Sequence, residues 1–248
     1  NPMTYPLDRL PQAGGLTPPQ LFADGADLPT ISKLAEDPMI DGFTTNPTLL
    51  AKAGVSDYEA FARSALEVVG DRPISFEVFA DEPAEIVRQA RLLAGWGDAV
   101  FVKVPVTTTD GTSTHDVVAE LAADGVQLNV TALMTPRQVA VVSASLAGGP
   151  PSYISVFAGR VADAGRDPLP IMAASVAIMA AEADQRLIWA SPREAYNYVQ
   201  AAQVGCQVIT MTADLLAKLP TIGKDLDEFS LDTVAMFRND AVASGYRL

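Results

Sequence analysis

The sequence predicts an α/β protein with a single (β/α)8 TIM barrel and an additional C-terminal helix. Short strand-like runs alternate with longer amphipathic stretches, a pattern typical of parallel strands joined by right-handed crossovers. About eight such units follow one another, which favours a closed barrel over an open sheet. The length of 248 residues, 49% of them hydrophobic, fits one domain with a substantial core.

The elements follow in order along the chain. Residues 1–20 are rich in Pro and Gly and are predicted to be an irregular N-terminal extension, and residues 21–248 hold the barrel and its C-terminal helix. The predicted strands are Leu21–Asp24, Gly42–Thr44, Ile74–Val78, Ala99–Val104, Val126–Thr131, Tyr153–Phe157, Arg186–Ala190 and Gln207–Thr210. The predicted helices between them include Glu82–Gly95, Ser113–Asp124, Pro136–Leu146, Pro168–Ala183, Pro192–Val204 and Ala213–Lys218. Several of these helices begin with Pro, which the first helical turn accepts.

One more helix, predicted over Leu231–Ala243, follows the eighth strand. Its residues Leu231, Val234, Phe237 and Ala241 recur at helical spacing. The helix is therefore expected to cover one end of the barrel or to dock on a neighbouring subunit. No GxGxxG sequence follows the first strand, which weakens the alternative of a nucleotide-binding open sheet.

The charge of the chain limits its partners. A formal net charge of -13 and a pI of about 4.4 repel phosphate backbones and anionic membranes, so neither nucleic acid nor membrane is an expected partner. The longest apolar runs fall short of the roughly 18 residues that a membrane span requires. A small anionic substrate would need a local cluster of arginines or helix N-termini.

Cysteine and histidine are scarce. Cys206 is the only cysteine and cannot form an internal disulfide, and no charged and apolar leader begins the chain, so a cytoplasmic location is expected. The single histidine and single cysteine give too few ligands for the usual catalytic zinc site. Zinc-dependent chemistry is therefore disfavoured.

Functional residues of such a barrel come from the C-terminal ends of its strands and the loops that follow them. The polar residues at these predicted ends are Asp24, Asn46, Glu77, Lys103, Asn129, Thr131, Ser155, Arg160, Ser191 and Arg193. Lys103 stands out because the run Ala99–Pro105 is so apolar that its strand must be buried on both faces. Desolvation lowers the pKa of a buried lysine and frees the amine to attack a carbonyl. From this pattern alone, a structural lysine paired with an interior carboxylate is an equally good interpretation.

Two carboxylates accompany the lysine. Asp24 and Glu77 end the first and third predicted strands and are suited to proton transfer around an imine and its water. Each has a structural alternative. Asp24 could cap the helix that opens near Asp27, and Glu77 could be the buried partner of Lys103.

A second group of residues is suited to binding phosphate. Arg160, Ser191 and Arg193 end the sixth and seventh strands, where barrels often hold a phosphate with side chains and a helix N-terminus. A helix that begins at Pro192 would support this arrangement. Either arginine alone could equally be solvated or salt-bridged, so the inference rests on their convergence.

Six segments resemble, in order and spacing, the motifs of the transaldolase family. They are Thr44-Thr45-Asn46-Pro47-Thr48, Phe76-Glu77-Val78, Val102-Lys103-Val104-Pro105, Asn129-Val130-Thr131, Ser155-Val156-Phe157-Ala158-Gly159-Arg160 and Ala190-Ser191-Pro192-Arg193. The likeness runs from about Leu21 to Met211. It implies a (β/α)8 barrel and catalysis with neither a metal nor an organic cofactor.

The resemblance also implies roles for the residues. Lys103 would form a Schiff base with the donor ketose, and Asp24 would take the proton from the C4 hydroxyl as the C3–C4 bond breaks. Glu77 and Thr131 would position and activate the water of imine formation and release. Substrate hydroxyls or the dihydroxyacetone fragment would be bound by Asn46 and Asn129 with Ser155 beside them, and the phosphate by Arg160, Ser191 and Arg193.

The resemblance predicts a class I transaldolase that transfers a dihydroxyacetone unit from a ketose phosphate to an aldose acceptor, as in the pentose phosphate reactions of carbohydrate metabolism. One alternative is a fructose-6-phosphate aldolase that releases free dihydroxyacetone. Such aldolases tend to have Gln and Tyr where this chain has Glu77 and Phe157, which favours transfer. Another alternative is a barrel that binds sugar phosphates without catalysis. Compact members of the family often form rings, so a homo-oligomer is expected, while a sulfonated donor or a specialised acceptor stays open.

Overall fold

The fold is the predicted one, a closed barrel of eight parallel strands in sequence order in which β8 pairs with β1. The computed structural model describes residues 4–248, so the first three residues of the predicted N-terminal extension lie outside the described part of the chain. The strands are β1 Gln20–Asp24, β2 Ile40–Thr44, β3 Ile74–Glu77, β4 Val100–Pro105, β5 Leu128–Leu133, β6 Ser152–Val156, β7 Gln185–Trp189 and β8 Val208–Thr212. All eight predicted strands are confirmed, with ends that shift by one or two residues.

The α-helices lie between the strands along the chain and after the last strand. They are α1 Leu28–Ala35, α2 Pro47–Lys52, α3 Tyr58–Val69, α4 Pro83–Ala94, α5 His115–Ala123, α6 Pro136–Leu146, α7 Ala158–Asp163, α8 Pro168–Met179, α9 Tyr196–Val204, α10 Ala213–Leu216 and α11 Leu226–Ala243. The first three each follow a side-chain cap, in which the carboxylate or amide oxygen of Asp27, Asn46 or Asp57 accepts a backbone N–H from the first turn. Between Thr4 and Pro19, two short 3-10 helices replace part of the extension predicted to be irregular.

Two predicted helix starts are wrong. Helix α9 begins at Tyr196 rather than Pro192, because residues 192–195 form a loop in which the Asn197 side chain accepts the backbone N–H groups of Arg193 and Glu194 at 2.8 and 3.0 Å. Helix α11 begins at Leu226, five residues before the predicted start. The Asp225 side chain caps this first turn.

Helix α11 does not cover an end of the barrel of its own chain, because none of its residues is buried. Leu231, Val234 and Phe237 are 68%, 62% and 63% exposed. The other half of the prediction, docking on a neighbouring subunit, stays a prediction. No helix between Thr4 and Leu248 has both the length and the apolar character needed to cross a membrane.

A separate aromatic cluster fills the barrel beneath its C-terminal mouth. Tyr153 packs against Phe22 and Phe101, with ring centroids 5.5 and 4.7 Å apart. Strand residues two positions apart face the same side of the sheet. Asp24 and Lys103 follow the two phenylalanines by two positions, so both project into the barrel one layer above the cluster. This buried apolar layer therefore closes the barrel beneath Asp24 and Lys103.

Candidate active site

A cavity of about 500 Å³ opens at the C-terminal mouth of the barrel. It brings together ten of the eleven predicted site residues, namely Asp24, Asn46, Glu77, Lys103, Thr131, Ser155, Phe157, Arg160, Ser191 and Arg193. These residues come from β1, β3, β4, β5, β6, α7 and the loops after β2, β6 and β7. The shared lining follows from the parallel barrel, which gathers the carboxyl ends of all its strands at one mouth.

Lys103 lies at the inner end of the cavity. Its side chain is buried, and Nζ donates a hydrogen bond to the backbone carbonyl oxygen of Thr45 at 2.9 Å. Among residues 4–248, no carboxylate oxygen lies within 4.0 Å of Nζ. The alternative of a lysine held in a structural ion pair with Glu77 is therefore wrong.

Asp24 is held by a chain of hydroxyl groups. Its Oδ1 accepts a hydrogen bond from Thr44 Oγ1 at 2.9 Å, and Thr44 Oγ1 lies 2.5 Å from Thr210 Oγ1. Asn46 Nδ2 donates to Asp24 Oδ2 at 3.4 Å. Burial raises the pKa of Asp24 above its ordinary value, an effect that the charge of Lys103 and the hydrogen bonds from Thr44 and Asn46 only partly offset.

The helix cap near this point is Asp27 and not Asp24. Asp27 Oδ1 accepts the backbone N–H of Thr30 at 2.8 Å in the first turn of α1. The structural alternative for Asp24 is therefore wrong, and its carboxylate lines the cavity instead.

Glu77 faces the same cavity from the end of β3. Burial raises its pKa, and the charge of Lys103 opposes the rise. Thr131, two strands away, is buried and its Oγ1 has no hydrogen-bond partner within the described part of the chain. A buried hydroxyl without a partner in a cavity wall is suited to holding a water molecule or a substrate oxygen.

Asn129 is the predicted residue that the cavity lining does not include. It is fully buried, its Nδ2 donates to Ser75 Oγ at 3.0 Å, and its Oδ1 accepts from Ser155 Oγ at 2.7 Å. Its amide therefore supports Ser155 from below. The direct substrate contact that the resemblance implies for Asn129 stays a prediction.

The two arginines on the opposite rim are held differently. Arg193 pairs with Asp163 and donates from Nε to Oδ1 at 3.1 Å, and this pair raises the pKa of Arg193 and lowers that of Asp163. The guanidinium of Arg160 has no hydrogen bond or ion pair with any residue from Thr4 to Leu248. Arg160 is therefore the cation more available to a phosphate, because the guanidinium of Arg193 is already paired with Asp163.

The loop after β7 is packed tightly against the start of α7. Ser191 has a positive φ of 50°, and its Oγ accepts the backbone N–H of Arg160 at 3.2 Å. A Cβ added to Gly159 would lie 1.5 Å from the Ser191 carbonyl oxygen, so only glycine fits there. Ala132, which also lines the cavity, is the other non-glycine residue with positive φ among residues 4–248. Such backbone strain tends to cluster at functional sites.

Sequence reasoning missed the threonines around the lysine and the first carboxylate. Thr44 and Thr210 hydrogen-bond near Asp24, and Thr45 accepts from Lys103 through its backbone. A signal was present for the first pair, since Thr44 ends the buried strand β2 and Thr210 lies within the buried strand β8, both at positions that face the barrel interior. The contact of Lys103 with the backbone carbonyl of Thr45, in contrast, could not be predicted, because every residue type carries such a carbonyl.

A buried lysine and two carboxylates lie at the C-terminal mouth of a closed parallel barrel, opposite two arginines, which is where enzymes of this fold carry their active sites. The chain belongs to the transaldolase/fructose-6-phosphate aldolase family, whose sequence profile matches residues 21–246. Within residues 4–248, no three His, Cys, Asp or Glu side chains are grouped so as to hold a metal ion.

Two relatives show the extent of the similarity. A protein named "Probable transaldolase" from Dehalococcoides mccartyi is 32% identical over 201 residues, which cover 81% of this chain and 89% of that protein. "Probable transaldolase 2" from Listeria monocytogenes is 32% identical over 225 residues, which cover 89% of this chain and 99% of that protein. Dihydrodipicolinate synthase from Rhodopseudomonas palustris is similar in fold alone, with a TM-score of 0.53 and 15% identity over 92% of this chain and 80% of that chain.

Proposed function

We propose that this chain is a metal-independent, Schiff-base transaldolase that transfers a dihydroxyacetone unit from a ketose phosphate to an aldose acceptor. The observation that carries the proposal is the environment of Lys103. Its amine is buried, lines the cavity and hydrogen-bonds a neutral carbonyl oxygen rather than a carboxylate. An amine without a fixed ion pair is suited to nucleophilic attack on a ketone.

The first half of the reaction forms the imine. The Lys103 amine adds to the C2 carbonyl of the ketose, and the resulting carbinolamine loses water to give a protonated imine. Glu77 and the unpartnered hydroxyl of Thr131 line the same cavity. We assign to this pair the placement and proton exchange of that water, in formation and again in release. The raised pKa of Glu77 suits a group that both gives and takes a proton.

The second half breaks and makes the carbon–carbon bond. Asp24 takes the proton of the C4 hydroxyl, the C3–C4 electrons move onto the protonated imine, and the aldehyde half leaves. The enamine that remains on Lys103 attacks the aldehyde carbon of the acceptor, and Asp24 returns the proton to the new hydroxyl. Its raised pKa keeps Asp24 basic enough for this exchange. Ser155 and Asn46, on the same lining, would bind the hydroxyls of the three-carbon unit.

Phosphate binding gives a direct prediction. We expect Arg160→Ala to raise KM for a phosphorylated ketose about 10- to 100-fold with a smaller change in kcat, the range expected when a hydrogen-bonded charge is lost. Arg166→Ala removes an exposed arginine outside the cavity lining and is the matched control. Steady-state kinetics of both variants measure the difference. Equal KM values would contradict the assignment of Arg160.

Transfer and cleavage are separated by one assay. With fructose 6-phosphate alone, a transferase holds the enamine and releases little free dihydroxyacetone, whereas addition of an aldose phosphate acceptor starts turnover. Steady release of dihydroxyacetone without acceptor would support the aldolase instead. Absence of any reaction, and of any borohydride-trapped adduct, would support the barrel that binds without catalysis.

We also propose that the chain is a homo-oligomer in which α11 contacts a neighbouring subunit. The apolar residues Leu231, Val234 and Phe237 recur along this helix, are exposed to solvent, and find no cover in their own chain. A sedimentation experiment that found only a 26.1 kDa species would contradict this. The cytoplasmic location stays a prediction.

A further inference from the structure

The hydroxyl group of Tyr58 is bound to the backbone of Glu77 at two points. Its oxygen accepts the N–H of Glu77 at 3.0 Å and donates to the C=O of Glu77 at 3.1 Å. Tyr58 is the first residue of α3, nineteen positions earlier in the chain. One side-chain oxygen therefore satisfies both polar backbone groups of a residue that lines the active-site cavity.

The strand pattern explains why this contact is needed. Strand β2 ends at Thr44, whose partner in β3 is Ser75, so the last residues of β3 have no strand beside them on that edge. On the other edge, Val78 N–H pairs with the carbonyl of Lys103 at 3.1 Å. Since neighbouring residues of a strand point their backbone groups to opposite edges, the groups of Glu77 face the side that β2 has left. The Tyr58 hydroxyl occupies that place.

The ring of Tyr58 is itself held in position. It packs edge to face with Phe76 and Phe79, at centroid distances of 6.2 and 4.5 Å, and at 5.8 Å from Trp96. Burial raises the pKa of Tyr58, so the hydroxyl keeps its proton and can donate and accept at once across the working pH range. Because the ring is packed against three aromatic side chains, its hydroxyl holds the end of β3 in a fixed position.

We propose that Tyr58 is a positioning residue for Glu77, whose carboxylate it aims at the water of imine formation and release. The inference rests on the proposed function, because the water has a role only if Lys103 forms an imine. Tyr58 is not among the residues that line the cavity, and it acts through the backbone of Glu77. The loop beyond is pinned separately, since Gln89 Oε1 accepts the N–H groups of Phe79 and Ala80 at 2.8 and 2.9 Å.

The test is a double-mutant cycle in transaldol kinetics. We expect Tyr58→Phe, which keeps the ring and removes the hydroxyl, to lower kcat about tenfold and to change KM less than about threefold, as loss of alignment of an acid–base group would. In a Glu77→Gln background the same change should lower kcat less than about twofold, because the carboxylate that it aims is already gone. Tyr198→Phe alters a buried tyrosine of α9 that does not line the cavity and should leave kcat unchanged.

Each other outcome has a definite meaning. Equal losses in both backgrounds would show a merely structural role and overturn the proposal, as would an unchanged kcat in Tyr58→Phe. If Tyr58→Phe does not fold, Tyr58→His offers a second perturbation of the same contact, and equal losses in the wild-type and Glu77→Gln backgrounds would overturn the proposal. Failure of wild-type protein to trap a ketose on Lys103 under borohydride would overturn the proposed function itself.

Discussion

Lys103→Met is expected to lower kcat at least about 10⁴-fold, since Lys103 is the only lysine among the described residues that line the cavity and would carry the covalent intermediate. Methionine keeps most of the length and volume of lysine, so the variant should still fold around the same cavity. Lys103→Arg, which keeps a positive charge but not a nucleophilic amine, should be as inactive. A coupled assay with fructose 6-phosphate and an aldose phosphate acceptor measures both variants.

The control for this prediction is Lys33→Met, which replaces an exposed lysine on α1. It should retain wild-type kcat and KM. Substantial transfer by Lys103→Met would contradict the Schiff-base route. Activity of Lys103→Arg alone would instead indicate that the site needs only a charge at this position.

Asp24→Asn is expected to lower kcat about 10²- to 10⁴-fold, because the amide cannot accept the proton of the C4 hydroxyl. The same change should stabilise the fold. The pKa of Asp24 is higher in the folded protein than in the unfolded chain, so folding favours the protonated carboxyl. The stability that this proton gives is fully present below the unfolded-state pKa and is lost as pH rises through the folded-state pKa. Asparagine, which cannot ionise, avoids this loss.

The gap in Tm between Asp24→Asn and wild type should therefore open as pH rises, because only the wild-type carboxyl loses the stabilising proton. Melting curves from acid to alkaline pH measure it. Asp27→Asn is a control of opposite sign, since hydrogen bonds from Thr30 lower the pKa of Asp27 and its stabilising effect is lost as pH falls. A gap for Asp24→Asn that widens toward acid pH would contradict the account.

The order of strands and the inward-facing residues could be predicted from sequence because both follow short-range rules. The run around Lys103 is too apolar for an exposed strand, and alternation along it places the amine on one known face. The mouth of a parallel barrel then gathers such residues whatever their distance in the chain. For this reason Asp24 and Arg160 could be assigned to one cavity without knowledge of any contact.

Contacts between distant side chains could not be predicted in this way. Asn129 is a polar residue on an inward-facing position of β5, as expected for a substrate-binding residue. Its amide, however, is hydrogen-bonded to the hydroxyl groups of Ser75 and Ser155 and does not line the cavity. Pro192 is compatible with a helix start or a loop, and the Asn197 side chain decides for the loop. In the sequence, Tyr58 is indistinguishable from other aromatic residues of helices. Its contact with the Glu77 backbone exists because β2 ends at Thr44, before the last residues of β3.

The most direct measurement of the central claim is borohydride reduction of the protein with fructose 6-phosphate, followed by peptide mapping by mass spectrometry. We expect one reduced adduct per chain, on the peptide that contains Lys103, and none in Lys103→Met. An adduct on another lysine, or none on wild-type protein that turns over the same ketose, would contradict it.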